Sequence, residues 1–506
     1  MREASGAKFG SRAAAGRPEA RVKFINRQQN CWATIEVERL IGDEHPARAI
    51  WEFTGRLDLS GFYEPIRAVE GQAGQSAIDP RLLVSLWIYG YSRGIGSARE
   101  IARRCESEPA FQWLCGMEAV NHHTLSDFRV GYDEALRKLF AEVLGVLTAE
   151  GLVTLERVMQ DGTRIRTQAG AGSLHREASL RKHVEAARRQ VEAMGDPRQD
   201  PGETRRQRAA RERAARERSE RLAVAAVELE KIRRESETPE QARVSVVEAE
   251  ARVMKESGGG FAPCYNAQLT TDAAAGAVVQ AELSQGGSDY PLLQPALEAL
   301  QASTGQMPQE VVADGGYTSR ENIIALEGKT NFIGSLGEPG ARERGQRERR
   351  GGDPEFARER FTYQSQGDVY VCPAGEALAH VGSRVDRGVR VHRYRAEAKA
   401  CAGCAHRPRC CPEVGRGREL TRIEEPAAVT RFRTKMQTAA AQQIYRQRAA
   451  IAEFPNLWIK EKFGLRKFHV RGLRKAAQEL LWVALTYNLL LWRRLRQQPV
   501  GAAAVA

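Results

Sequence analysis

Two apolar, strand-like runs in this chain each break off at an aspartate followed by glycine, and that pairing narrows the folds open to it. Val158-Met159-Gln160-Asp161-Gly162-Thr163-Arg164-Ile165 alternates as a strand and turns at Asp161-Gly162. Val311-Val312-Ala313-Asp314-Gly315-Gly316-Tyr317 is an apolar strand that stops on the acid. Short apolar runs suit sheet strands, and Asp-Gly suits the turn that ends one. A third acid, Glu453, lies in a helix-like stretch from Tyr445 to Lys460 studded with Arg and Lys. Two strand-end carboxylates and one helix carboxylate offer hard oxygens from several directions. Two divalent ions about 4 Å apart need such donors, and together they stabilise the attacking and leaving oxygens of phosphoryl transfer. A mixed α/β sheet carrying the acids is therefore expected.

The order of the motifs is as informative as their content. Asp161-Gly-Thr comes first, then Ala313-Asp314-Gly-Gly-Tyr317, then Tyr445-x2-Arg448 with Glu453-x6-Lys460, then Arg471-Gly-Leu-Arg-Lys leading to Asn488 in an apolar helix. This set resembles the DDE transposases of bacterial insertion sequences, from about Asn26 to Leu495. The resemblance implies an RNase H-like catalytic core in which Asp161, Asp314 and Glu453 are catalytic and hold two Mg²⁺ (or Mn²⁺) ions, with Asp161 shared by both. It implies that Tyr445, Arg448 and Lys460 hold DNA phosphates or the terminal nucleotide, and that Arg471 extends this basic face. Tyr317 is placed to pack on a base or sugar. The implied activity is metal-dependent cleavage at the element's ends and transfer of the 3′-hydroxyl strand into target DNA. The implied partners are double-stranded DNA (terminal inverted repeats and target) and a second copy of the chain, as a homodimer or higher. The implied location is the bacterial cytoplasm, at the nucleoid. Two other readings fit the same motifs: a terminal-repeat binder without catalysis, and a nuclease of the same fold that cuts without joining.

The Glu453 segment departs from the relatives' pattern, with Phe454-Pro455-Asn456-Leu457 in place of a Phe-Gly step. Seven residues make nearly two helical turns, so Lys460 falls on the face of Glu453 if the helix continues. Pro455 predicts a kink or a new start there. Glu461 is the alternative third carboxylate.

At 506 residues the chain has room for two to four domains. Its formal net charge of +13 and pI near 9.4 favour a nucleic-acid partner. Residues 1–25 read as a disordered basic tail without a secretory apolar block, and residues 497–506 as a second tail. Leu480 to Trp492 is too short to span a bilayer. Residues 26–152 read as an all-helical DNA-binding domain, helix-turn-helix-like. Within it Asp79-Pro80 starts one helix, and Ser97-x2-Glu100 is a capping box opening another. Asn121-His122-His123-Thr124 opens a further helix, from which His123, Thr124 and Arg129 contact DNA. A scaffold with no groove contact is the alternative.

The catalytic domain is expected over 153–336 and 425–496. It is interrupted at 172–256 by an Arg/Glu/Ala-rich helical hairpin or coiled coil, either a DNA or dimer contact or a solvated spacer. Strands are expected at 155–160, 163–167, 264–270 and 277–283. Residues 337–424 read as a basic loop followed by a Cys-rich insertion. There Cys372, Cys401, Cys404 and Cys410 (or Cys411) have spacing suited to a structural zinc ion. Reduced thiols without metal are the alternative.

Overall fold

The computed structural model describes residues 28, 34–68, 76–194, 204–256, 258–337, 344–345, 348–349, 353–386, 389–412 and 415–497. The tail at 1–25, most of the tail at 497–506 and most of the basic loop that begins at 337 lie outside them.

The N-terminal part is helical: α1 (Pro46–Thr54), α2 (Pro80–Ser92), α3 (Ala98–Ser107), α4 (Pro109–Leu114), α5 (His122–Gly131) and α6 (Asp133–Ala149). Local chemistry sets their starts. Asp79 caps α2 by accepting from Arg81 N–H, with Pro80 in the first turn. Ser97 caps α3 through Glu100 N–H, and Asn121 caps α5 through His123 N–H. The Glu100 side chain does not close a capping box; it pairs with Arg103 and Arg104.

A six-stranded sheet follows, built from β1 (Arg157–Arg166), β2 (Arg252–Lys255), β3 (Phe261–Asp272), β4 (Val278–Ser284), β5 (Glu310–Ala313) and β6 (Asn331–Gly334). Its order is β2-β3-β1-β5-β6, with β4 continuing along the edge of β3 beside β2. β1 and β3 run antiparallel, as do β3 and β4, whereas β1, β5 and β6 are parallel. The expected turn at Asp161-Gly162 is absent. β1 is one continuous strand, because β3 pairs with it from Val158 through Arg166. What ends near Asp161 is its other neighbour: the β5 ladder stops at Gln160↔Ala313.

The alternation of side chains gives this sheet two different faces. Val158 and Val311 join the main core, whereas Met159 and Val312 face a small cluster containing Ile333 and Ala452. Ala452 belongs to α12 (Ala439–Leu457), preceded by α11 (Ala427–Met436), which also sends Met436 into that cluster. The main core is covered by α9 (Leu293–Thr304), α10 (Arg320–Leu326) and the long α13 (Leu473–Gln497). α13 touches β4 on one side and α2 and α6 on the other. The helical N-terminal part and the sheet thus share one continuous hydrophobic core. Asn488 on α13 makes the seam specific: Oδ1 accepts from Val278 N–H at 2.9 Å and Nδ2 donates to Val278 C=O at 2.7 Å.

Between β1 and β2 lie α7 (Glu177–Ala193) and α8 (Arg205–Glu235), the expected helical pair. They bury Leu180, Ala187, Leu222, Ala225 and Leu229 in a core of their own. The segment expected to be loop and cysteines contains a second, five-stranded antiparallel sheet of β7 (Thr362–Gln364), β8 (Val369–Val371), β9 (Ala377–Asp386), β10 (Val389–Ala396) and β11 (Glu419–Ile423). One face packs Phe356, Phe361, Tyr370, Leu378 and Tyr394. The other carries the charges that hid the strand alternation. Among the described residues no helix is long and apolar enough to cross a membrane.

Candidate active site at the strand ends facing α12

Asp161 and Asp314 each follow the last paired residues of the β1–β5 ladder, Gln160 and Ala313. Both acids are therefore level, on adjacent parallel strands, and turned to the face that α12 covers. Asp161 is half-buried, 15% exposed in its side chain, and Asn456 Nδ2 of α12 donates to its Oδ2 at 2.8 Å. Arg448, two turns earlier on the same helix, stands 3.9 Å from Asp161 Oδ1. It also stands 3.6 Å from Glu453 Oε1, so one guanidinium lies between the first and third acids. Asp314 Oδ1 accepts from Gly316 N–H at 2.7 Å, which fixes the turn leaving β5.

Burial sets the electrostatics. The Asp161 carboxyl is pushed up to about 6, first by desolvation and then by the neighbouring Asp314 charge, against the pull of Arg448, Gly162 N–H and Asn456. Tyr317 is raised well above the usual phenol range by burial and by Asp289, with Asp161 and Asp314 adding to it. Glu453 is 63% exposed, the open side of the cleft.

Of the other expected residues, Tyr317 and Arg129 are buried. Tyr317 is fully buried, its hydroxyl on Gln268, and cannot stack on a nucleotide. Arg129 is buried in the seam, stacked 4.5 Å over Trp87 and paired with Glu479 at 3.4 Å; it faces the interior and not DNA. His123 is exposed and packs on His122 at 4.2 Å, while Thr124 is half-buried. Tyr445 packs against the small cluster under α12, and Arg471 is exposed. Pro455 does not restart α12, which runs on to Leu457 and then widens into a π-helical turn at Trp458–Lys462. Lys460 lies within that turn. Its ammonium is depressed mainly by burial, near Cys264, Glu256, Arg164 and Arg466.

Among the described residues, no three His, Cys, Asp or Glu side chains are grouped to hold a metal ion. For the cysteines, the grouping expected for zinc is therefore not seen among the described residues. Cys372 and Cys401 pack against the cluster around Cys410, but as core thiols, accepting from Glu376 N–H at 3.3 Å and Arg418 N–H at 3.4 Å. Cys404 belongs to no such group either. The Cys411 thiol is pushed up to about 12 by burial and by the neighbouring Cys401 and Cys410. For the acids, the donor chemistry still fits a hard cation. Asp161 and Asp314 repel across the strand pair, Arg448 lies against the first, and Asn456 Oδ1 is a buried acceptor with no partner.

Two features were not read from sequence. Asn456 is one; its only signal was falling one turn after Glu453. The other is a buried amide network behind Asp161. Gln160 donates to Gln268, Thr270 donates to Gln160, and Asn266 and Gln268 both donate to Asp289 Oδ1. The polar alternation Asn266-x-Gln268-x-Thr270 in an otherwise apolar strand was its trace. Gly162 permits this packing: a Cβ there would lie 2.6 Å from Gln268 Nε2, 2.8 Å from the Tyr317 hydroxyl and 3.0 Å from Asp289 Oδ1.

Comparison with known proteins gives two family matches. The family described as Transposase DDE domain matches residues 371–491, which include Arg448 and Glu453 but neither Asp161 nor Asp314. The family described as Transposase domain (DUF772) matches residues 35–130, most of the N-terminal helices. A cryo-EM structure of a piggyBac transposase synaptic complex with hairpin DNA is similar at 9% identity, covering 92% of this chain and 84% of that chain, with a TM-score of 0.23. No curated protein matches.

Proposed function

We propose that the chain is a DDE transposase, on the strength of the two transposase families that match it, and that it cuts DNA at the ends of a mobile element and transfers the freed 3′-hydroxyl strand into target DNA. The observation that carries the reading is the ladder end that sets Asp161 and Asp314 level on adjacent strands. The strand order, three antiparallel strands running into two parallel ones, supports an RNase H-like core.

Asp161, Asp314 and Glu453 would hold Mg²⁺ or Mn²⁺. Such ions, when bound, lower the pKa of a water nucleophile and stabilise charge on the leaving oxygen. The protein's own residues do the remaining work. Asn456 holds one Asp161 oxygen in place. Arg448, with planar donors suited to phosphate, sits where it can exchange its carboxylates for a DNA phosphate. The amide network behind Asp161 fixes the strand against recoil. The +13 net charge of the chain draws duplex DNA, and Arg471 is exposed to meet it. Handling two element ends together calls for at least a dimer on DNA.

The test is cleavage of a labelled duplex carrying the element's own terminal repeat, with Mg²⁺ or Mn²⁺ against EDTA, beside Asp314→Asn. Metal-dependent nicking at the end, abolished in the variant, is expected. Tight binding without cleavage in any metal would overturn the enzymatic reading.

A further inference from the structure

Asn456 is 8% exposed, and its two polar atoms are treated differently. Nδ2 donates to Asp161 Oδ2 at 2.8 Å and to Ala452 C=O at 3.3 Å. Oδ1 has no hydrogen-bond partner among the described residues. The amide is not simply reversed, because swapping O and N would set the oxygen against the Asp161 carboxylate. An orphaned buried acceptor costs about 1–3 kcal/mol, and most buried acceptors are satisfied.

The surroundings say what could satisfy it. Oδ1 shares one small planar group with the nitrogen on Asp161, so it lies at that carboxylate. Arg448 directs its contacts to Asp161 and Glu453. An anion is excluded by Asp161 and Asp314. A hard cation fits, since carboxamide oxygens are ordinary ligands of such ions. Neutrality is an advantage here: two carboxylates already repel, and an amide adds a third oxygen without a third charge. Ala452, one turn before Asn456, packs against Met159 and Val312, so this face of α12 is pinned to the strands that carry the acids.

We infer that Asn456 Oδ1 is a ligand, with Asp161 and Asp314, of the divalent cation at this site. The inference rests on the reading of those acids as metal ligands. Glu453, largely exposed, is then the ligand that joins from the open side.

The test uses the full chain without DNA. Mn²⁺ binding, read by electron paramagnetic resonance, is compared for the wild type, Asp314→Asn and Asn456→Leu. At least tenfold weaker binding is expected in both variants. In Asn456→Cys, ¹¹³Cd NMR should show a thiolate-bound cadmium resonance that the wild type lacks and that disappears when Asp314→Asn is added. Wild-type Mn²⁺ binding in Asn456→Leu overturns the inference and leaves the acid reading standing. So does a cysteine variant that folds without the new resonance, because Asn456 would then only position Asp161. A wild-type protein that binds no Mn²⁺ overturns the acid reading itself.

Discussion

Replacing Asp161 by Asn should make the metal-free protein more stable at neutral pH. The Asp161 carboxyl is pushed from its ordinary 3.8 to about 6 by burial and by Asp314. The fold therefore holds this proton more tightly than the unfolded chain does. Its contribution to stability is fully present below the unfolded pKa and is lost as pH rises through about 6. At about 1.4 kcal/mol per pKa unit, the ionised carboxylate costs the fold about 3 kcal/mol above pH 7. Asparagine mimics the protonated acid and removes that cost. Urea unfolding in EDTA, followed by circular dichroism, should show the two proteins alike near pH 4. The variant should gain progressively to pH 7 and hold its lead above that. Saturating Mg²⁺ should narrow the difference by stabilising the wild type alone. A variant less stable than wild type at pH 7.5 in EDTA, or a difference that does not change with pH, would refute the argument.

Gly162→Ala should destabilise by about 1–3 kcal/mol through overpacking against Gln268, Tyr317 and Asp289, seen as a lowered melting temperature; an unchanged melting temperature would contradict the packing described. Arg129→Met removes one partner of the buried Glu479, which His469 and Tyr91 still contact, and should cost about 1.5–3 kcal/mol in chemical denaturation. Terminal-repeat affinity per folded molecule should stay the same, whereas a selective loss of affinity would return Arg129 to the DNA surface. Asn488→Leu orphans both backbone groups of Val278 and should cost about 2–5 kcal/mol, with faster amide exchange along β4.

Much of the sheet was legible because its signals are local. Val158 to Ile165 and Val311 to Ala313 alternate or run apolar, and Asp79-Pro80 and Ser97 announce helix starts. The break assumed at Asp161-Gly162 was wrong because Asp-Gly is turn chemistry only when no neighbour pairs across it. Here β3 does, from far along the chain. The second sheet was obscured by its charged outer face: Val389 to Ala396 alternates, but Arg and His fill the exposed positions. Arg129 looked like a DNA contact because nothing near it in sequence reveals Glu479. The π turn that holds Lys460 was not foreseen, because no residue type marks it. Asn456 was passed over because an asparagine beside a proline reads as a local breaker, and its value depends on Asp161 reaching it.

The seam made by α13 has a consequence for synthesis. Its apolar length is the wall that both the N-terminal helices and the sheet lean on, yet it is translated after all of them. Until it leaves the ribosome, neither half can close. A message truncated or frameshifted upstream of residue 473 therefore yields no half-active fragment, such as a free DNA binder that would occupy ends without cutting them. The chain is made as one indivisible product.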